Sequence, residues 1–496
     1  MHAKGGVCVW LGFLFVVQAG SELRAATLIK ARLLESVSSY RSKSGDTIQA
    51  LVAPRSCPEG SASLPIGTLL SGHLQKVRRV GLGLIHETAR IELTFDEFRL
   101  PDGNRYDIET KLVGIDNARE RVDKRGAIHG IRATASLSSR LGSRLALWAW
   151  EHPMLLGPAL VVESGLMRFP DPEIAYGRGT ELSVDVRFPE SAEKAAACSL
   201  AVGEADTDPP DDLRDLVSGL PYWAYSKRQP QPMDLVNLVF MGSESELLAA
   251  FTAAGWNRAL PNSMVTGLHA IRAIAEEREY ADAPMRTLLL DGNQPDLTLQ
   301  DALNTFEKRD HLRIWKRPEQ WQGRSAWASS ATRDIGATFS MRRPFGFTHQ
   351  IEGNVDLERD KVVSDLELTG CVDSVEYITR GQPRRDPQHE FRKGVHTDSR
   401  VAVVIFNSCE SPFENFADPA LAPQPPLAVR LVRRFSLTVR NHFLRDNIVY
   451  RSGDAARLGL LAFRGWYVRR RDEGRAEKEE SLHAAPPESA LHGSAE

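Results

Sequence analysis

Ile91, Leu93 and Phe95 recur at every second position, Ile48, Ala50 and Val52 do the same upstream, and Pro101-Asp102-Gly103-Asn104 interrupts the pattern with turn residues. A period of two sends successive side chains to opposite faces, so such a stretch buries its apolar side as an antiparallel sheet or barrel. Ile108 and Leu112 resume the pattern beyond the turn, and the β signal runs from about residue 46 to 188. Two segments echo each other, Leu64-Pro65-Ile66-Gly67-Thr68-Leu69-Leu70 and Tyr176-Gly177-Arg178-Gly179-Thr180-Glu181-Leu182. In each, a glycine supplies an unusual backbone angle ahead of a threonine-led strand.

The pattern then breaks. Residues 190–231 are rich in small residues, acids and prolines and read as a linker, in which Tyr222, Trp223 and Tyr225 fasten a strap to a neighbouring domain. Beyond it, Leu235–Phe240 reads as one short buried strand. Ser243 then opens a helix at Glu244 whose apolar face is Leu247, Leu248, Phe251 and Ala254, and Gly255 ends it. A second helix is expected over Val265–Glu279, with strands at Thr287–Leu290, Leu312–Trp315, Ser325–Thr332 and Phe347–Ile351. Interleaved helices and strands indicate a mixed α/β domain. The expected class is therefore multidomain α+β, an N-terminal β-rich barrel-like module (27–189) followed by a mixed domain (232–410). The length of 496 residues accommodates this as two to four domains of roughly 100–200 residues each.

The first 26 residues carry Lys4, an apolar run from Val7 to Val17, and small residues at Ala19, Gly20, Ala25 and Ala26. This is the order of a secretory signal peptide, too short to span a bilayer at the roughly 20 residues a helix needs. It implies export to the periplasm or outer envelope. Leu145–Phe169 is the most apolar later stretch, but Glu151, Pro153, Pro158 and Glu163 interrupt it, so it reads as a buried or surface-dipping excursion. Cys57, Cys198, Cys371 and Cys409 show no CxxC spacing; Cys371 and Cys409 are the preferred disulfide pair, with buried free thiols as the alternative.

Charge is nearly balanced at 62 − 65 = −3, so no global field recruits nucleic acid and none is expected as a partner. The average conceals a basic segment. After a proline-rich connector (411–427), residues 428–471 hold eleven Arg against Asp446 and Asp454, a net of 11 − 2 = +9, ahead of a low-complexity tail (472–496). Leu431, Phe435, Val439 and Phe443 recur every fourth residue, which predicts an amphipathic helix over 428–448; Leu458–Trp466 is a second apolar patch. The segment suits either packing against the protein or an anionic membrane surface.

Two family resemblances follow from motifs. The order Pro-x-Gly-Thr-x-Leu, strand, Leu100-Pro101-Asp102-Gly103, strand, apolar excursion and Gly179-Thr180-Glu181-Leu182 over about 46–188 resembles the β-barrel of VirB10/TrbI-type envelope proteins. It implies assembly or contact in the envelope. Five further motifs over about 232–412 are similar to the LssY C-terminal domain: Asp234-Leu235-Val236-Asn237-Leu238, Ala253-Ala254-Gly255-Trp256, Asp310-His311-Leu312-Arg313-Ile314-Trp315, Ala331-Thr332-Arg333-Asp334, and Thr348-His349-Gln350-Ile351 followed by Asp356-Leu357-Glu358-Arg359-Asp360. Asp310 stands where a second His is expected. This resemblance implies a bacterial envelope protein and no particular activity.

The motifs offer candidate chemistry. His311, Asp334, His349 and Glu358 are candidate acid–base groups. His311, His349 and Asp356 are candidate ligands of a divalent metal, and Arg313, Arg333 and Arg359 candidate anion holders through paired N–H donors. Alternation places His311, Arg313 and Trp315 on one strand face. The same residues are equally the ingredients of a buried ion-pair network, and no Gly-x-Ser-x-Gly, Walker loop or His-Glu-x-x-His accompanies them. Two readings stand: a binding or assembly component of the envelope, and a hydrolase of a phosphorylated or lipid-linked envelope substrate.

Overall fold

A computed structural model describes residues 27–53, 67–81, 88–138, 170–188, 208–227, 232–340, 346–381 and 395–410, together with Met154, Phe416, Pro426 and scattered positions within 428–470. Residues 1–26, read above as a signal peptide, the excursion around 145–169 apart from Met154, residues 190–207 of the expected linker and the tail 472–496 lie outside these residues.

Alternating residues build the first sheet. Its principal strands are β1 (Thr27–Leu33), β2 (Thr47–Val52), β3 (Leu69–Arg78), β4 (Arg90–Arg99), β5 (Glu109–Ile115) and β6 (Glu181–Arg187). They run in the order β5-β6-β1-β2-β3-β4, continued by Ala127–His129 and Arg121–Val122, with every pairing antiparallel. The sheet nearly closes on itself. Thr110 Oγ1 of β5 donates to the Phe95 carbonyl and accepts from the Phe95 N–H of β4, each at 2.8 Å. The enclosed face carries Ile48, Ala50, Val52, Ile91, Leu93, Phe95, Leu182, Val184 and Val186 in one core. The hairpin at 100–104 is present, with Gly103 at φ +92° donating to Leu100.

The second sheet comprises β7 (Leu238–Met241), β8 (Leu297–Asp301), β9 (Arg309–Trp321), β10 (Arg324–Ser340), β11 (Gly346–Ile351), β12 (Val372–Thr379) and β13 (Arg400–Phe406), with Asn257–Arg258 at its edge. The order is (Asn257–Arg258)-β8-β9-β10-β7-β13-β12, with β11 on β10; only β7 and β13 pair in parallel. Its helices are α1 (Asp211–Gly219), α2 (Glu244–Ala253), α3 (Met264–Ala275) and α4 (Val355–Thr369). Ser243 caps α2 through a reciprocal bond with Glu246. α2 and α4 cover one face of the sheet through Leu247, Phe251, Val362, Val363 and Leu366. Leu213 and Val217 of α1 pack on the other, with Trp315, Val239 and Val403. The fold class is thus the expected one, a barrel-like β module followed by a mixed α/β region.

Several expectations are revised. Leu235–Phe240 is two strands, because Pro232–Leu235 joins a small separate sheet while β7 enters the large one. Asn237 sits between them and ties the junction, its Oδ1 accepting from Ala331 N at 2.9 Å and its Nδ2 donating to Val355 O at 3.2 Å. The second half of the expected linker holds α1 and the strand Trp223–Ser226. Tyr222 and Trp223 pack on Leu235, Val355 and Val395, whereas Tyr225 is exposed. The second helix ends at Ala275, and α4 replaces what reads locally as a polar motif.

Phe416 pins the halves together. Its N–H donates to Ala253 O at 2.7 Å, its side chain is buried against Leu51 and Leu368, and the Arg32 and Arg178 guanidinium groups lie 5.3 and 5.6 Å from its ring. Cys371 and Cys409 are joined as a disulfide with Cα atoms 4.5 Å apart. In the basic segment Leu437 is buried in the barrel core, Arg433 pairs with Glu173, and Arg440 donates to Gly81 O, so this part packs against the first module. Leu431, Phe435, Val439 and Phe443 lie outside the described residues.

At Gly72, a Cβ would lie 2.0 Å from Thr94 O and 2.5 Å from Phe95 Cα, both backbone atoms of β4. The barrel wall needs glycine there. Gly72→Ala should lower the urea midpoint by the equivalent of about 2 kcal/mol, the scale of an overpacked core; an unchanged midpoint would contradict this register.

Candidate functional site

Four candidates, His311, Arg313, Arg333 and Asp334, fall on the two faces of the paired strands β9 and β10. Arg309, His311, Arg313 and Trp315 alternate onto one face, opposite Asp334, Thr332, Ser330 and Ala328 of β10. Asp310 therefore faces the other way, paired with Arg333. A His at 310 would point away from His311, so the absent His pair is no loss to that face.

On the first face, Asp334 Oδ2 lies 3.5 Å from Arg309 Nε and 3.4 Å from His311 Nε2. Gln300 Oε1 accepts from Arg309 Nη1 at 3.0 Å, and Gln300 Nε2 donates to the carbonyls of Ala281 and Ala283. The Arg309 guanidinium stacks 4.2 Å from the Phe306 ring. Arg313 Nη1 bonds Asp234 Oδ2 at 2.6 Å, and Arg313 Nε donates to Arg286 O at 3.1 Å. All these charged side chains are buried. Burial pushes the Asp334 carboxyl up to about 7 against the opposing pull of Arg309 and Arg313. Asp334 beside His311 is thus a group able to exchange a proton near neutrality, set where the strand pair is covered. A groove of about 780 Å³ lies elsewhere, lined by Leu69, Arg99, Leu100, Glu367 and Val372 among others and by none of these candidates.

The second face carries a larger network, reaching into the barrel-like module. Lys361 Nζ of α4 lies 2.8 Å from Asp365, 3.2 Å from Asp301 and 3.4 Å from Asp310. Asp365 also accepts from Arg32 of β1 and, at 3.0 Å, from Trp256 Nε1. Asn117, following β5, donates to Asp310 Oδ2 at 2.8 Å, and Arg333 pairs with Asp116 and, at 3.5 Å, with Asp310. Lys30 and Glu181 extend the network on the barrel side at 2.8 Å. Burial alone would lower the Lys361 amine, but Asp365, Asp310 and Asp301 together hold it well above its ordinary value.

Glu358 is the unusual member. It is 2% exposed and neither carboxyl oxygen has a hydrogen-bond partner among the described residues. Burial, reinforced by the Asp310 charge, holds it well above the usual carboxylate range, with Lys361 and Arg333 pulling the other way. Burial likewise raises Asp310. A carboxyl so placed holds its proton to a higher pH than one in water does.

Arg359 and Asp356 belong to a third set of contacts around Asp398. Arg359 bonds Asp398 at 2.7 Å, Asp360 at 2.8 Å, Asp356 at 3.2 Å and Arg400 O at 2.8 Å, with its guanidinium 5.2 Å from the Tyr377 ring. Asp356 is further engaged by Thr397 and the Asp398 N–H. These bonds occupy the donors that an anion would need. The His349 backbone lies opposite Ala337 on β11, and its side chain is outside the described residues. Among the described residues no three or more His, Cys, Asp or Glu side chains are placed to share a metal ion. No described helix is long and apolar enough to cross a membrane. Asp310, Lys361, Asp365, Arg32 and Asp116 are among the members that are not candidates from the sequence; Asn354 and Gly370, which cap α4, are the local signals of its helix.

Residues 221–399 match the family model described as the LssY C-terminus, which bears out the stronger motif resemblance. No curated protein matches the chain. Among solved structures, ComB10 of the Com type IV secretion system of Helicobacter pylori aligns at 12% identity over 32% of this chain and 85% of that one, with a TM-score of 0.17. A likeness at that score carries no argument about the barrel-like module.

The raised carboxyls give a sign for pH. Between pH 4 and 7 the unfolded chain has released the Asp334 proton while the folded chain retains it, so folding stability falls as pH rises through this window. The slope from one such group is at most about 1.4 kcal/mol per pH unit. Asp334→Asn should flatten the dependence of the urea midpoint on pH, and Glu358→Gln should flatten it above the ordinary carboxylate range. Slopes identical to wild type in both variants would contradict these assignments.

Proposed function

We propose that this protein is a binding or assembly component of the bacterial cell envelope, in which the barrel-like module and the LssY-type domain act as one body. The observation that carries this reading is the use of the candidate catalytic and anion-binding groups. His311, Arg313, Asp334, Glu358 and Arg359 are buried, Arg313, Arg333 and Arg359 are each paired with a carboxylate of the protein, and the larger of the two networks joins the two modules. Export is supported by the signal-like order of residues 1–26 and by the Cys371–Cys409 disulfide, a bond that persists in oxidising compartments.

One observation favours a second reading. Asp334, raised to about 7 and 3.4 Å from His311, has the proton affinity of an acid–base catalyst, which suits a hydrolase of a phosphorylated or lipid-linked substrate, with or without a divalent metal. The two readings separate in one experiment on purified full-length protein, combining metal content and phosphate-ester turnover for wild type, His311→Ala and Asp334→Asn. The assembly reading expects no turnover attributable to this site and no stoichiometric metal. Turnover that falls at least about a hundredfold in both variants, the usual contribution of an acid–base group, would establish the hydrolase instead. Recovery of the mature protein in the envelope fraction, with its N-terminus beginning after Ala19 or near Ala26, tests location separately.

A further inference from the structure

We propose that the last part of the basic segment docks on an anionic lipid surface through a stripe formed by Leu460, Phe463, Trp466 and Tyr467. These residues are helical, and at 100° per residue they share an arc of about 120°. They are 70, 61, 49 and 58% exposed. That is the reverse of what the same segment does earlier, where Leu437 is buried in the barrel core and Arg433 and Arg440 bond to the first module. One half of the segment is satisfied by the protein, and the other presents its apolar side outward.

The chemistry around the stripe selects its occupant. Arg464 and Arg470 are helical and exposed beside it, the Arg470 guanidinium lies 5.0 Å from the Trp466 ring, and Phe463 and Trp466 rings are 5.8 Å apart. Arg469 and Arg471 follow in sequence, within the segment of net charge +9. A second copy of the chain would bring like-charged arginines together on closing over the stripe. Nucleic acid would satisfy the arginines and leave four large apolar side chains in water. An anionic bilayer surface satisfies both, because aromatic and aliphatic groups enter the acyl boundary while guanidinium groups stay with phosphate oxygens. This inference deepens the envelope reading by naming a partner, and it rests on that reading only for which membrane is met.

The test is co-sedimentation of the full chain with vesicles of phosphatidylcholine alone or mixed with phosphatidylglycerol, at low and high salt. Wild type should sediment with the phosphatidylglycerol vesicles, remain in solution with phosphatidylcholine alone, and bind less as salt rises. Phe463→Ser with Trp466→Ser should weaken binding by about tenfold or more through lost apolar area, and Arg464→Gln with Arg470→Gln should weaken it and reduce its salt dependence. Wild type left in solution with phosphatidylglycerol vesicles, or equal binding by the Phe463/Trp466 variant, overturns the proposal. So does a lipid-free dimer, seen by light scattering, that the Phe463/Trp466 variant abolishes. Vesicle binding by a protein recovered outside the envelope fraction would overturn the envelope reading and leave the lipid inference standing.

Discussion

The Asp365 carboxylate is the point on which the two modules turn. It accepts from Arg32 of the barrel-like sheet, from Lys361 one helical turn earlier on α4, and from the Trp256 indole that follows α2. Taking a carboxylate out of water costs several kcal/mol and is repaid only when good donors surround it. Here those donors come from three separate parts of the chain. The Arg32 guanidinium in turn donates to Ala254 O at 3.2 Å and lies against Phe416. An apolar seam of the same area would tolerate sliding; this arrangement fixes α4 relative to β1.

Among Lys30, Arg32, Arg333 and Lys361 on one side and Asp116, Glu181, Asp301, Asp310, Glu358 and Asp365 on the other, four cations face six carboxyls, 4 − 6 = −2 if all were ionised. The excess falls on Glu358 and Asp310, whose proton affinities burial raises. Raised proton affinity at these two carboxyls offsets part of that excess. The same physics makes these groups resemble an active site, since perturbed carboxyls arise from burial and charge pairing whether or not a substrate is present.

How much of this was legible in the sequence depends on the reach of each interaction. The barrel-like module was legible because a sheet buried on one face must alternate, and Ile48, Ala50, Val52 and Ile91, Leu93, Phe95 do. α4 was hidden because Glu358, Arg359 and Asp365 are buried along with Val362, Val363 and Leu366, which leaves no single apolar stripe to detect. The break at Asn237 was masked by the apolar residues around it. Alternation along β9 separated Asp310 from His311, but their partners could not be read locally: Arg32 and Asp365 are 333 positions apart, and Asn117 and Asp310 are 193. A motif records residues that are close in the chain, whereas this seam is made by residues that meet only after both sheets have formed.

A buried ionic seam centred on Asp365 should make one cooperative body of the two modules. Differential scanning calorimetry of full-length wild type and Asp365→Ala tests it directly, since removing one partner leaves Arg32, Lys361 and the Trp256 N–H without their shared acceptor. Wild type should show a single transition that separates into two in the variant. Two independent transitions in wild type, or one unchanged transition in both proteins, would contradict it.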